Sequence, residues 1–398
     1  MKQRILIVNK FYYARGGDCV CALNLESLLR EEGFDVAMYA MNHPDNIQSQ
    51  YSQYFADEVS FAGGITQKLK AAERSFGVGD IVHSVNKLLD DFHPDVVHLH
   101  NVHSYISPVI GQLAKRRGCK VVWTLHDYKL LCPSYSCLRG GQICELCFHD
   151  KSQVIRYRCM KGSLAGSILA YIEAKKWNRA KLESFTDAFI CPSQFMADKM
   201  AQGGFDTGKL KVICNSLDAA KVERLPNAKS TERGNYMLYV GRISAEKGIE
   251  TLLKAASRLP YQLQVGGDGP LLEQYKNVYA SSKNISFLGR LNADGVCDAL
   301  SRARFSVIPS EWYENNPLSV IESLCAGTPV VGANIGGIPE LIDDENGTIF
   351  TSGDVVALSD AINKEMNMIR NNAEIKRTAL KRFSPQEYIH KTISVYDD

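Results

Sequence analysis

The chain has 398 residues, too many for one ordinary domain and suited to two. Its formal net charge is +2, so bulk charge does not point to nucleic acid, and no apolar run approaches the roughly 20 residues of a membrane span. The start, MKQRILIVNK, carries basic residues before an apolar run too short for a signal-peptide core. Export is therefore not expected, and the 12 cysteines favour free thiols or metal ligation over disulfides.

Taken in order, Ile5–Val8 predicts a short apolar strand, followed by a loop with Gly16 and Gly17. A helical pattern through Leu23, Leu25, Leu28 and Leu29 ends at Gly33, and Asp35–Tyr39 resumes as strand. Strand, glycine loop, helix and strand open a doubly wound α/β domain. The glycine pair puts backbone N–H groups at a helix N-terminus, a natural anion site, although a plain tight turn explains it as simply. No GxGxxG is present, so the dinucleotide fingerprint is absent. Residues 45–75 are polar and predict an insertion with short helices, and Ile81–Asp91 predicts a helix. Asp95–His100 and Val121–Leu125 predict strands. His100 and His126 then lie at strand ends, the edge where open α/β sheets bind ligands.

A cysteine-rich segment follows. Cys144 and Cys147 form a CxxC; Cys132 lies twelve residues before the first and Cys159 twelve after the second. Four thiolates around such a knuckle suit tetrahedral zinc, with Cys137 a further candidate ligand; buried thiols or an oxidisable pair are the alternative. From Lys151 to Lys181 eight Lys and Arg residues face only Glu173, with Tyr157, Tyr171 and Trp177 interleaved. Ser163 predicts the cap of a helix running to about Phe185. A solvated helix face competes here with an anionic membrane surface or a polyphosphate acceptor. Ala188–Pro192 and Val212–Cys214 predict strands, and the polar residues 219–235 with Pro226 predict a linker.

Met237–Val240 starts a second α/β unit and runs into GRISAEKG, with a helix expected from about Ala245. Arg242 and Lys247 sit between a strand end and a helix N-terminus, which suits a diphosphate. Strands are expected at Gln262–Val265, Ile285–Leu288, Phe305–Ile308, Pro329–Val331 and Gly347–Phe350, and a last helix near Pro385. Between two of these strands stand Glu314 and Glu322, eight apart. Asn316 predicts a helix cap and Pro317 the first helical residue. Glu322 falls inside that apolar helix and needs donors. A structural Arg or Lys would serve, as would the hydroxyls of a bound ligand.

The Glu314–Glu322 pair, the Gly241-Arg242…Lys247-Gly248 segment and the Gly16-Gly17 loop, each after a strand, resemble retaining glycosyltransferases of family 4 over essentially the whole chain. The cysteine-rich segment resembles a subgroup acting in bacterial polysaccharide assembly. The resemblance implies the α/β GT-B architecture of two facing Rossmann-like domains: an acceptor domain at 1–218, a linker at 219–235, a nucleotide-sugar domain at 236–383 and a crossing helix at 384–398. It implies that Arg242 and Lys247 stabilise the departing diphosphate, that Glu314 contacts the donor sugar, and that His126 lies against the transferred sugar. Donor binding would fall to Glu322 at the ribose, Arg290 and Leu291 at the base, and Gly16, Gly17, Asn316, Leu318 and Ser319 at phosphate or sugar. Many members have Phe-Gly where this chain has Asn316-Pro317, and the proline removes one N–H. The expected partners are a UDP- or GDP-type sugar donor and a saccharide or lipid-linked saccharide acceptor. Catalysis would need no metal, a structural zinc aside. The expected setting is the cytoplasm, with peripheral contact at the inner face of the membrane. An epimerase or hydrolase of nucleotide sugars, or a non-catalytic nucleotide-sugar-binding protein, would share the diphosphate site.

Overall fold

The computed structural model describes residues 3–61, 63–225 and 233–398. The chain divides into two compact units. The first comprises Met1–Arg139, Cys144–Ile213 and Tyr388–Asp398; the second comprises Gly140–Ile143 and Cys214–Glu387.

In the first unit six strands form one parallel sheet: β1 (Arg4–Val8), β2 (Asp35–Tyr39), β3 (Val96–Leu99), β4 (Lys120–Thr124), β5 (Ala188–Cys191) and β6 (Leu210–Val212). Their order is β2-β1-β3-β4-β5-β6. β1 through β5 are almost wholly buried, as apolar runs covered on both faces require. The strand order reverses between β1 and β3, so the loops leaving those two strands flank the natural ligand crevice. The helix Pro385–Asp397 belongs to this unit from Tyr388 onward. Tyr388, Ile389, Val395 and Tyr396 are buried in the same core as Ile5, Ile7 and Leu25.

The second unit repeats the plan with β7 (Tyr236–Val240), β8 (Gln262–Gly266), β9 (Ile285–Gly289), β10 (Phe305–Ile308), β11 (Val330–Ala333) and β12 (Gly347–Phe350). All are parallel, in the order β9-β8-β7-β10-β11-β12. Here the reversal lies between β7 and β10. Arg242 and Lys247 follow β7, and Ser310 to Glu314 follow β10, so the topology alone brings these two loops together.

Several local expectations need correction. The polar run at 219–235 is not wholly a linker: Asp218 Oδ1 accepts from Ala220 N at 2.8 Å and caps a helix over Ala219–Arg224. Residues 226–232 lie outside the described residues. The units divide at Ile213/Cys214, five residues before the boundary expected at 218. The helix expected from Ser163 to about Phe185 is two helices, Leu164–Lys176 and Arg179–Phe185. Ser163 does cap the first, but Asn178 caps the second, because the chain turns at Trp177 to bury that indole, whose N–H donates to Ser75 O at 2.8 Å. Among the described residues no helix is long and apolar enough to cross a membrane.

Candidate functional site

In the second unit the loop after β7 turns sharply. A single 3-10 turn, Ala245–Lys247, precedes the α-helix Ile249–Ala256, four residues later than expected. Gly248 joins them at φ +66°, and a Cβ there would stand 1.8 Å from the Pro309 carbonyl oxygen. Only glycine combines that backbone conformation with so close an approach to the loop after β10. The approach delivers Lys247 Nζ to Glu314 Oε1 at 2.7 Å, and the same ammonium lies 4.9 Å from the centre of the Trp312 ring. Ser310 Oγ also donates to Glu314 Oε1 at 2.7 Å. Behind it, Gly337 N donates to the Glu314 carbonyl at 2.7 Å, and Gly336 at φ +61° packs on the Glu314 backbone. Burial pushes the Glu314 carboxyl up, but the Lys247 charge and the bonds from Lys247 and Ser310 outweigh it, leaving the pKa below its ordinary value. Glu314 is therefore a carboxylate beside an ammonium. Arg242 is exposed at the mouth of the same loop, its carbonyl held by Tyr239 Oη at 2.7 Å.

The helix Leu318–Cys325 begins one residue later than expected, with Pro317 extended at its N-cap. Asn316 does not cap it. Its Oδ1 accepts from Asn215 N at 3.0 Å, and its carbonyl accepts from Asn215 Nδ2 at 3.0 Å. The first N–H groups of the helix, those of Leu318 and Ser319, stand where a helix leaves its donors unsatisfied. Glu322, on the next turn, is bonded through Oε1 to Lys221 of the helix Ala219–Arg224. The same carboxylate lines a cavity of about 240 Å3 with Lys221, Leu217, Leu225, Leu291 and Val296. An apolar slot with one carboxylate at its wall suits a flat heterocycle joined to a hydroxylated ring. Arg290 is exposed and is not among the residues lining it. Lys221, Leu217 and Leu225 were missed in the sequence, where the polar composition of 219–235 hid an Asp cap followed by a helical run.

In the first unit Gly16 is the N-cap of the 15-residue helix Gly17–Glu31, and both glycines are exposed. Gly16 is extended, a conformation any residue adopts, and a Cβ there would meet only Asp18 Oδ1 at 3.3 Å. The glycine leaves open space over the helix N-terminus rather than solving a turn. His126, after β4, is stacked on His100, after β3, with His100 Nδ1 and His126 Nε2 2.9 Å apart. Burial lowers the pKa of both, so both are neutral imidazoles. His100 Nε2 is buried without a partner among the described residues. An orphaned acceptor is tolerated more readily than an orphaned N–H, so the His100 proton belongs on Nδ1, donating to His126. His126 then carries its own proton on Nδ1. The sequence placed both residues at strand ends but could not show that they touch.

His98 is stacked on His100 and bonded to Tyr396 Oη at 2.6 Å and Thr124 Oγ1 at 2.7 Å. Burial pushes it down to about 3, and pushes His100 and His103 well below 6.5. These depressed bases stay neutral when folded and take up protons when unfolded. Their stabilisation is full above about pH 6.5 and is lost as pH falls, by about 1.4 kcal/mol per pH unit for each imidazole. Amide exchange in β3 and β4 is expected to quicken steadily from neutral pH to about pH 5 once corrected for intrinsic rates; a flat corrected profile would contradict it.

All twelve cysteines are free. Cys132 is hydrogen-bonded with Cys137 and Cys147, and Cys159 lies within electrostatic reach of Cys132, Cys144 and Cys147. Among the described residues no group of three or more His, Cys, Asp or Glu side chains is placed to hold a metal ion.

A family model described as Glycosyltransferase Family 4 matches residues 15–221, and one described as Glycosyl transferases group 1 matches residues 222–382. An uncharacterized 42.6 kDa protein in the cps region of Klebsiella pneumoniae is 24% identical over 356 residues, covering 85% of this chain and 87% of that protein. The O-antigen biosynthesis glycosyltransferase WbnH of Escherichia coli is 28% identical over 217 residues, covering 54% of this chain and 60% of its own length. Among solved structures, Anabaena Alr3699/HepE in complex with UDP superposes with a TM-score of 0.68 at 17% identity, covering 100% of both chains. The lipopolysaccharide outer core galactosyltransferase WaaB superposes at 0.67 and 16% identity, covering 98% of each. The chain belongs to glycosyltransferase family 4 and has the GT-B fold, two Rossmann-like parallel-sheet units in one polypeptide.

Proposed function

We propose that this glycosyltransferase moves a sugar, with retention at the anomeric carbon, from a UDP- or GDP-type donor to a glycan or lipid-linked saccharide acceptor. The proposed setting is the cytoplasm, in bacterial surface polysaccharide synthesis. The observation that carries the reading is the Lys247–Glu314 pair at the strand-order reversal of the second unit, with Arg242 exposed on the same loop. The bond broken joins the anomeric carbon to a diphosphate oxygen. The bond formed joins that carbon to the acceptor hydroxyl oxygen on the same face, and the acceptor proton passes to the leaving phosphate. Charge builds on the diphosphate, where Arg242 and Lys247 stabilise it without a catalytic metal. Glu314, kept ionised, accepts from sugar hydroxyls, and Glu322 accepts from the ribose at the cavity wall. Leu318 and Ser319 offer backbone N–H groups, and Leu291 packs on the base with Arg290 at its rim. Asn316 serves indirectly, by fixing the helix start against Asn215. From the first unit, the open helix N-terminus at Gly16 and Gly17 suits phosphate, and His126 Nδ1–H suits a sugar oxygen. Zinc at the cysteine-rich segment stays a proposal for metal analysis of the purified protein, and no step of the transfer runs through it.

The O-antigen and cps-region relatives support a polysaccharide acceptor, and a UDP-bound structural neighbour supports a nucleotide donor. A thermal-shift and turnover panel of UDP-, GDP- and ADP-sugars tests the reading. One nucleotide class is expected to raise the melting temperature, at saturation near 100-fold over Kd by about 2.7 kcal/mol of added stability. Rapid epimerisation or hydrolysis of that donor without any acceptor would replace transfer with the isomerase or hydrolase alternative. Binding without turnover, whatever the acceptor, would favour the non-catalytic one.

A further inference from the structure

The helix Leu164–Lys176 of the first unit shows its residues the wrong way round. Its buried positions are Ser167, Ala170 and Glu173. Its large aliphatic side chains face water: Leu164, Ile168 and Ile172 are 45%, 40% and 45% exposed. Four-residue spacing puts those three on one stripe. Glu173 fixes the orientation from inside. It takes Lys129 Nζ at 3.0 Å and both the N–H and the hydroxyl of Ser104, with the ion-paired side chains 9% and 7% exposed. Rolling the helix to bury the isoleucines would unpair a buried carboxylate, so the stripe is held outward.

Exposed cations flank the stripe along the chain, and one shares its face. Arg156, Arg158, Lys161 and Lys175 are exposed, and Lys175 lies on the helical face of Leu164 and Ile168. Tyr157, 37% exposed, lies under the Arg139 and Arg156 guanidinium groups at 4.3 and 5.5 Å. The one acid between Lys151 and Lys181 is Glu173, which points inward.

We propose that this face seats the first unit on a bilayer carrying anionic lipid headgroups, the aliphatic stripe entering the acyl boundary and the cations meeting the headgroups. A bilayer surface offers anion and apolar phase at the right separation for one helix. Nucleic acid or polyphosphate would satisfy the cations and leave the stripe in water. A second copy docked face to face would cover the stripe and bring like charges together. With no described helix able to span, the contact is interfacial. The proposal stands apart from the transfer chemistry, since it uses no residue of the donor site.

Sedimentation of the full chain with vesicles tests it. Binding is expected with phosphatidylcholine mixed with phosphatidylglycerol and not with phosphatidylcholine alone, and is expected to weaken as salt is raised. The triple variant Leu164→Ser, Ile168→Ser, Ile172→Ser and, separately, Lys161→Glu with Lys175→Glu should each lower partitioning about ten-fold or more. Unchanged thermal melts confirm that the variants fold. Equal binding to both vesicle types, binding that survives both variants, or a solution dimer that the triple variant dissolves would overturn the proposal.

Discussion

Lys247→Met is expected to lower turnover by about a hundred-fold or more, with a smaller effect on donor affinity, because its ammonium is assigned to charge that develops only as the diphosphate leaves. The same change strands Glu314, whose side chain is 9% exposed, without its ion-pair partner. Breaking such a pair costs about 3 kcal/mol, taken at the low end because the Lys247 side chain is 26% exposed. The two consequences separate in the double variant Lys247→Met, Glu314→Gln. Removing the stranded charge should restore most of the stability seen in denaturant melts, while turnover stays low. Near-normal turnover in the single variant would remove Lys247 from the chemistry. Recovery of turnover in the double variant would show that Lys247 acts only as the counter-ion of Glu314.

Glu322→Gln is expected to weaken nucleoside diphosphate binding by roughly 10- to 100-fold, the 1.5–3 kcal/mol of a charged hydrogen bond. The structure sharpens this test, because Glu322 already has a protein partner in Lys221. Lys221→Met removes that partner and leaves the carboxylate facing the cavity. The pair is partly exposed, 28% and 17% for the two side chains, so its loss should cost no more than about 1 kcal/mol of stability. Affinity in Lys221→Met should stay within about three-fold of the parent. Calorimetry with the nucleoside diphosphate chosen by the panel checks both. Unchanged affinity in Glu322→Gln would make the carboxylate a structural partner of Lys221 and nothing more.

The parts of this site that the sequence reveals are those encoded over a short span. The apolar runs of both sheets are three to six residues bounded by loops, and each falls within two residues of an observed strand. Arg242, Lys247, Glu314 and Glu322 sit beside those runs, so their positions follow once strands and helices alternate. What stayed hidden depends on partners far apart in the chain. Lys221 reaches Glu322 across 101 residues, and Asn215 reaches Asn316 across 101. In the second case a distant backbone N–H takes the side-chain oxygen that local rules assign to helix capping. The helix break at Trp177 has the same origin, since the Ser75 carbonyl that receives its indole lies 102 residues away. The outward stripe on Leu164–Lys176 could not be foreseen either: its apolar residues fit a buried face until Glu173 is seen to occupy the inside.

The Tyr396 hydroxyl bonded to His98, and the Tyr396 carbonyl taking Lys120 Nζ at 3.0 Å, set a timetable for biosynthesis. β1 through β6 leave the ribosome long before residues 388–396, yet their core includes four side chains from that late stretch. The second unit can complete itself as it emerges, whereas the first must wait, incompletely closed, for the chain to come back to it. The unit translated first is thus the last to finish folding, and a stall or cleavage just before residue 388 would spare the second unit while leaving the first without part of its interior.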